Sequence, residues 1–121
     1  MKGKKFLVMA VLSIVLIFIG IFTYHQAKLH SMEKTVEHYL YEEKNYQPSD
    51  IERIDGKIGK LPLHSVHVIF NDEPYAKYIY KVEDGEVKQI SVALTEEGEK
   101  HISRKDFYDG KIPLKHKERT F

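Results

Sequence analysis

His64 to Leu94 reads HSVHVIFNDEPYAKYIYKVEDGEVKQISVAL, and the period of this stretch is two. His64, Val66, Val68 and Phe70 alternate with Ser65, His67, Ile69 and Asn71, the pattern of a half-buried strand. Asn71-Asp72-Glu73-Pro74 is a turn cluster. From Tyr75 to Val82 the alternation resumes, with Ala76, Tyr78, Tyr80 and Val82 on one face. Asp84-Gly85 then separates two alternating runs, a strong hairpin signal because both residues tolerate positive φ. A last strand from Val87 to Leu94 would turn Ile90, Val92 and Leu94 inward.

Upstream the reading is less regular. Ile51 and Ile54 flank a polar first strand, and Gly56 and Gly59 bracket a turn. Before them Leu29, Met32, Val36, Tyr39 and Leu40 recur at intervals of three and four, one stripe of a helix over about Ser31 to Lys44. Asn45 and Pro48 should end it, since proline cannot continue the hydrogen-bond ladder. The helix is expected to lie across one face of the sheet and bury both apolar surfaces.

The first residues set the location. Lys2, Lys4 and Lys5 precede Phe6 to Tyr24, FLVMAVLSIVLIFIGIFTY, a run with no charged residue. As a helix it spans about 28 Å, close to the hydrocarbon thickness of a bilayer. A cleaved signal peptide has a shorter apolar core and a small-x-small site. Here Tyr24-His25-Gln26-Ala27 follows, which favours a retained anchor. The lysines orient the N-terminus to the cytoplasm and residues 25 onward outside. The organisation is then a basic tip (1–5), a transmembrane anchor (6–24), an extracytoplasmic α+β domain (25–99) and a basic tail (100–121). Residues 25 to 99 carry nine Lys/Arg against fifteen Asp/Glu, and residues 100 to 121 carry seven against three. Thr95-Glu-Glu would open a short helix in that tail. Residues 114 to 121 are expected to fray.

The chemistry is sparse. No cysteine is present, which removes disulfides, thiolate metal sites and a thiol nucleophile. Among seven histidines, His64 and His67 stand three apart on a strand and point to opposite faces, while His25 and His30 share a helix side only loosely. No metal and no cofactor are expected. The carboxylate pairs Asp72-Glu73, Glu83-Asp84 and Glu96-Glu97 fall at turns or a helix start, where water is plentiful, so acid/base work is disfavoured. Tyr75, Tyr78 and Tyr80, with Asp72 and Glu73, form a possible recognition surface. Packing of Tyr78 and Tyr80 against the helix, which carries Tyr39, is the stronger reading. Lys100, Arg104, Lys105, Lys111, Lys115, Lys117 and Arg119 could touch anionic lipid or wall polymer, or fold back on the acidic body. Nucleic acid is not an expected partner.

The stretch YEEKNYQPSDIERIDGKIG followed by HSVHVIFNDEPYAKYIY, above all Phe70-Asn71-Asp72-Glu73-Pro74 with Tyr78 and Tyr80, resembles an uncharacterised family of short Firmicute membrane-anchored proteins, domain of unknown function 3139. The resemblance implies a Gram-positive host and carries no activity. The helix-then-meander layout is similar to cystatin-like and PepSY-type domains. Pilins are set aside: Gly3 is present, but no glutamate occurs before Glu33. Three functions are compatible: a non-enzymatic binding or modulatory module at the outer membrane face with an unknown protein partner, a small envelope hydrolase or metal enzyme, or a secreted inhibitor-like module after cleavage. The hydrolase would need His64 or His67 in reach of Asp72 or Glu73 within a cleft.

Overall fold

The computed structural model describes residues 2–60 and 63–118. One helix, α1 (Lys2–His38), covers the apolar run and the amphipathic stripe without a break. It is long and apolar enough to cross a membrane, and none of its most apolar window is buried against the rest of the chain. Leu29, Met32, Val36 and Leu40 are buried, at the spacing that places them on one stripe. The last turn, Tyr39–Glu43, is wider than α and takes one residue more. Asn45 then adopts φ +59°, a conformation asparagine tolerates, and the chain leaves the helix.

The sheet is an antiparallel meander in the order β1 (Ile51–Ile58), β2 (His64–Phe70), β3 (Ala76–Glu83) and β4 (Glu86–Leu94). Asp84 and Gly85 both have positive φ, so the hairpin turn is of the expected type. The second half of α1 packs on β1, β2 and β3. Val66, Val68, Phe70, Ala76, Tyr78 and Tyr80 form the sheet side of the core, with Met32, Val36 and Leu40 above them.

Two register shifts rewrite the expected inward faces. In β1, Ile51 pairs with Phe70 and Arg53 with Ile69, so Glu52 is the extra residue. Ile51 and Ile54 therefore both face inward despite their odd spacing, and both pack on the core. In β4, Ser91 pairs with Ile79 and Gln89 with Tyr80, leaving Ile90 as the extra residue. Because one inserted residue flips the faces on either side of it, Ile90 moves to the outer face, contrary to expectation, and Gln89 comes inside.

Gly56 is not at a turn. It sits within β1 opposite Val66, directly beneath the helix. A Cβ there would lie 2.9 Å from Leu29 Cβ and 3.0 Å from Glu33 Oε1. Its N–H donates to Glu33 Oε1 at 2.6 Å. Glycine is required by close approach, with ordinary backbone angles.

After β4 the chain forms α2 (Glu96–Glu99), capped by Thr95, whose Oγ1 accepts from the Gly98 N–H at 2.9 Å. A second short helix, α3 (Arg104–Tyr108), follows. Ile102, Phe107, Ile112 and Leu114 pack against the same core. The segment from residue 100 is thus part of the domain rather than a separate tail. Leu114 packs on the core, and Lys115, His116 and Glu118 are hydrogen-bonded to the domain, contrary to the expected fraying; residues 119 to 121 lie outside the described residues.

Candidate functional site

The strongest concentration of polar chemistry lies where the β2–β3 turn meets the C-terminal segment. Glu73 is fully buried, although its position in a turn had suggested solvent. The Phe70 carbonyl holds its N–H, and its side chain points inward. Its Oε1 accepts from the Tyr78 hydroxyl. Its Oε2 accepts from the Lys115 N–H at 2.9 Å and from the Tyr75 hydroxyl at 3.3 Å. The His116 N–H donates to Tyr78 Oη at 3.1 Å. Burial, then the Glu73 hydrogen bond, pushes the Tyr78 hydroxyl well above the usual phenol range.

Gln89, delivered inward by the β4 register shift, grips the same segment. Its Nε2 donates to the His116 carbonyl at 3.0 Å and to Tyr80 Oη at 3.0 Å, and its Oε1 accepts from the Glu118 N–H at 2.8 Å. One buried side-chain amide thus stands in for a strand neighbour. Tyr39 closes the far end, its hydroxyl donating to Glu118 Oε1 at 2.6 Å.

His116 stacks on Phe70, with ring centroids 3.9 Å apart. Its Nε2 lies 2.8 Å from Asp72 Oδ1 and its Nδ1 lies 2.8 Å from the Tyr46 hydroxyl. When Nε2–H donates to the carboxylate, Nδ1 accepts from Tyr46, so both nitrogens are engaged. The hydrogen bond from His116 holds the Asp72 carboxyl below its ordinary range. An Asp–His–Tyr chain of this kind suits proton relay, but here every member is bonded within the fold.

The sequence-derived site residues divide. Tyr78, Tyr80 and Glu73 are buried and unavailable as a surface, because they pack beneath α1 and the C-terminal segment. Asp72 is exposed and Tyr75 half-buried. Neither His64 nor His67 approaches Asp72 or Glu73. His64 Nε2 lies 2.8 Å from His25 Nδ1, and His67 Nε2 lies 3.2 Å from Ser65 Oγ. Among the described residues no group of three His, Asp or Glu side chains is placed to hold a metal ion.

Several tail cations face local acids. Arg104 pairs with Glu99 at 2.7 Å, Lys111 with Asp106 at 3.5 Å and Lys100 with Glu97 at 3.7 Å. Lys115 Nζ reaches the Asp72 carbonyl at 3.4 Å. Lys105 and Lys117 are exposed. Arg119 lies outside the described residues. Glu118 sits against Tyr39, fifteen residues beyond Tyr24, which on an unbroken helix is about 23 Å along the axis. That height places the C-terminal segment at the end of the domain remote from the apolar run.

An open groove of about 680 Å³ runs between α1 and the β3–β4 hairpin, lined among others by Lys34, His38, Tyr39, Glu43, Glu86 and Val87. Local sequence does not reveal it, because helix and hairpin are some fifty residues apart in the chain.

Comparison with curated proteins and with solved structures finds no match. The model of one family matches residues 1–80, which span α1, β1, β2 and most of β3. The chain belongs to the family described as Protein of unknown function (DUF3139).

Proposed function

We propose that the chain is a non-enzymatic, single-pass protein of a Gram-positive cell envelope. Its N-terminus is cytoplasmic, and its α+β domain stands close against the outer face of the membrane, where it binds or modulates another protein. The observation that carries this reading is the continuity of α1. The exposed apolar half runs straight into the half that forms the domain core, with no linker between. Three lysines at one end favour the cytoplasm for the N-terminus.

The polar cluster around Glu73 supports a structural rather than a catalytic role. Both Glu73 oxygens and both His116 nitrogens are engaged by the fold itself. The groove between α1 and the hairpin is the better place for a partner. It is lined by Lys34, His38, Tyr39 and Glu43 from the helix side and by Glu86 and Val87 from the hairpin. A partner segment carrying both charge signs around a small apolar residue would complement it.

Photo-crosslinking in intact membranes tests the proposal. A photoreactive residue at Thr35 or at Val87, both lining the groove, should give the same discrete adduct. The same residue at Lys81, on the outer face of the sheet, should not. Loss of the contrast between these positions would remove the support for a groove partner. Reaction of Asp84→Cys with a membrane-impermeant maleimide on whole cells tests the orientation. Protection of that thiol until lysis would invert it.

A further inference from the structure

The β1–β2 turn stands at the level where the apolar run of α1 ends. His25, one residue beyond Tyr24, meets His64, the first residue of β2. His64 pairs with Ile58, the last residue of β1. Four residues farther along the helix, Leu29 covers Gly56, two residues earlier on the strand. Four helical residues rise about 6 Å and two strand residues about 6.6 Å, so β1 and α1 run side by side at matched height. Continued one step past Ile58, Gly59 comes about 3 Å beyond the level of His25, at the height of the last residues of the apolar run.

The chemistry of that turn is unlike the rest of the domain surface. Outside α1, only three large hydrophobic residues among the described ones are half exposed: Ile58 at 50%, Leu63 at 52% and Tyr108. Two of the three are here, with the exposed Lys57 and Lys60 beside them. The Gly59 N–H donates to the Leu63 carbonyl at 2.8 Å, which closes the turn and holds the two ends together. The other turn on this side of the sheet, at Gly85 and Glu86, lines the groove with Ser31 and Lys34. Ser31 stands about 10 Å beyond Tyr24 on the helix axis, which keeps the acidic Glu83, Asp84 and Glu86 away from lipid phosphates.

We infer that the β1–β2 turn is a second membrane contact: Ile58 and Leu63 enter the interface of the leaflet from which α1 emerges, while Lys57 and Lys60 meet its phosphates. Aliphatic side chains flanked by lysines suit that layer, since the apolar part sinks and the ammonium groups stay at headgroup level. With two points of attachment the domain cannot swing about the helix end. This inference rests on Phe6–Tyr24 being a retained span.

The chain has no cysteine, so single thiols can be labelled in the full-length protein. An environment-sensitive fluorophore is placed at Leu63→Cys, Lys60→Cys, Ile17→Cys or Glu96→Cys, and each protein is reconstituted into phosphatidylcholine–phosphatidylglycerol vesicles. At Leu63 and Lys60 the label should lose emission to a nitroxide held near the headgroup. At Ile17 it should lose emission to a nitroxide deep in the acyl chains, and at Glu96 to neither. Unquenched labels at Leu63 and Lys60 beside a quenched label at Ile17 would overturn the second contact and leave the span standing. An unquenched label at Ile17 would overturn the span and the contact together.

Discussion

The buried carboxyl of Glu73 accepts the main-chain N–H of Lys115 at 2.9 Å, across forty-two residues of sequence. The bond ties the β2–β3 turn to the C-terminal segment. Tyr78 binds the same carboxyl and also receives the His116 N–H. Sheet, turn and C-terminal segment therefore share one polar centre.

Replacement of Glu73 should be felt at both ends of that link. Glu73→Ala leaves two phenol groups and one amide without their acceptor, at about 3 kcal/mol. Glu73→Gln should cost less, about 1–2 kcal/mol, because one oxygen still accepts from Tyr78 while the new amide meets the Lys115 N–H head on. Chemical unfolding of the full chain in detergent, followed by tyrosine near-UV circular dichroism, orders the two. Equal stability of Glu73→Ala and the parent would contradict the assignment.

Gln89 separates attachment of the C-terminal segment from formation of the sheet. In Gln89→Leu, the His116 carbonyl and the Glu118 N–H lose their partner while the apolar contacts remain. Limited trypsin digestion should then cut after Lys115 or Lys117 much faster than in the parent, with β-sheet circular dichroism unchanged. Parent-like resistance would show that stacking of His116 on Phe70 suffices to hold the segment.

Gly56 is expected to be intolerant of size. Gly56→Ala places a methyl group within 3 Å of Leu29 Cβ and should cost about 1–3 kcal/mol by overpacking. Gly56→Val should separate β1 from the helix altogether. Hydrogen exchange at the Gly56 and Val66 amides would report the separation. A Gly56→Ala protein as stable as the parent would show that Leu29 can shift.

The response to acid follows from two imidazoles. Burial lowers the His67 pKa, Lys77 and Lys57 lower it further, and Asp55 opposes them. His64 is lowered by burial, by Lys28 and by His25. A histidine whose folded pKa lies below its unfolded value of about 6.5 contributes fully above that pH. The contribution is lost as pH falls from there toward the folded pKa, because the unfolded chain binds the proton first. The unfolding midpoint should therefore drop between about pH 7 and pH 5. His67→Gln should flatten that slope, and an unchanged slope would point to other groups.

Much of this fold is legible in local sequence. The stripe from Leu29 to Leu40 announces the packed helix face, and Asp84-Gly85 and Thr95 announce the hairpin turn and the helix cap. What stays hidden depends on pairing between distant segments. Ile51 and Ile54 look out of phase until the extra residue at Glu52 brings both inward. The inward turn of Gln89 needs the same device at Ile90. Gly56 reads as a turn glycine because nothing nearby reveals that a helix twenty-three residues upstream presses on it. Glu73 looks solvated because the Lys115 N–H that it accepts stands some forty residues on. His25 and His64, thirty-nine residues apart, look unrelated for the same reason.

The unbroken course of α1 carries a mechanical consequence on the proposed topology. A helix turns about 100° per residue, so the azimuth of the domain is set by the azimuth of the span within the lipid. Rotation of the apolar half about its axis would sweep the groove beside Lys34 and His38 through the same angle, like a key turned by its shaft. Adding or removing one residue between Tyr24 and Leu29 would aim that groove at a different quarter of the membrane plane without altering a single contact inside the sheet.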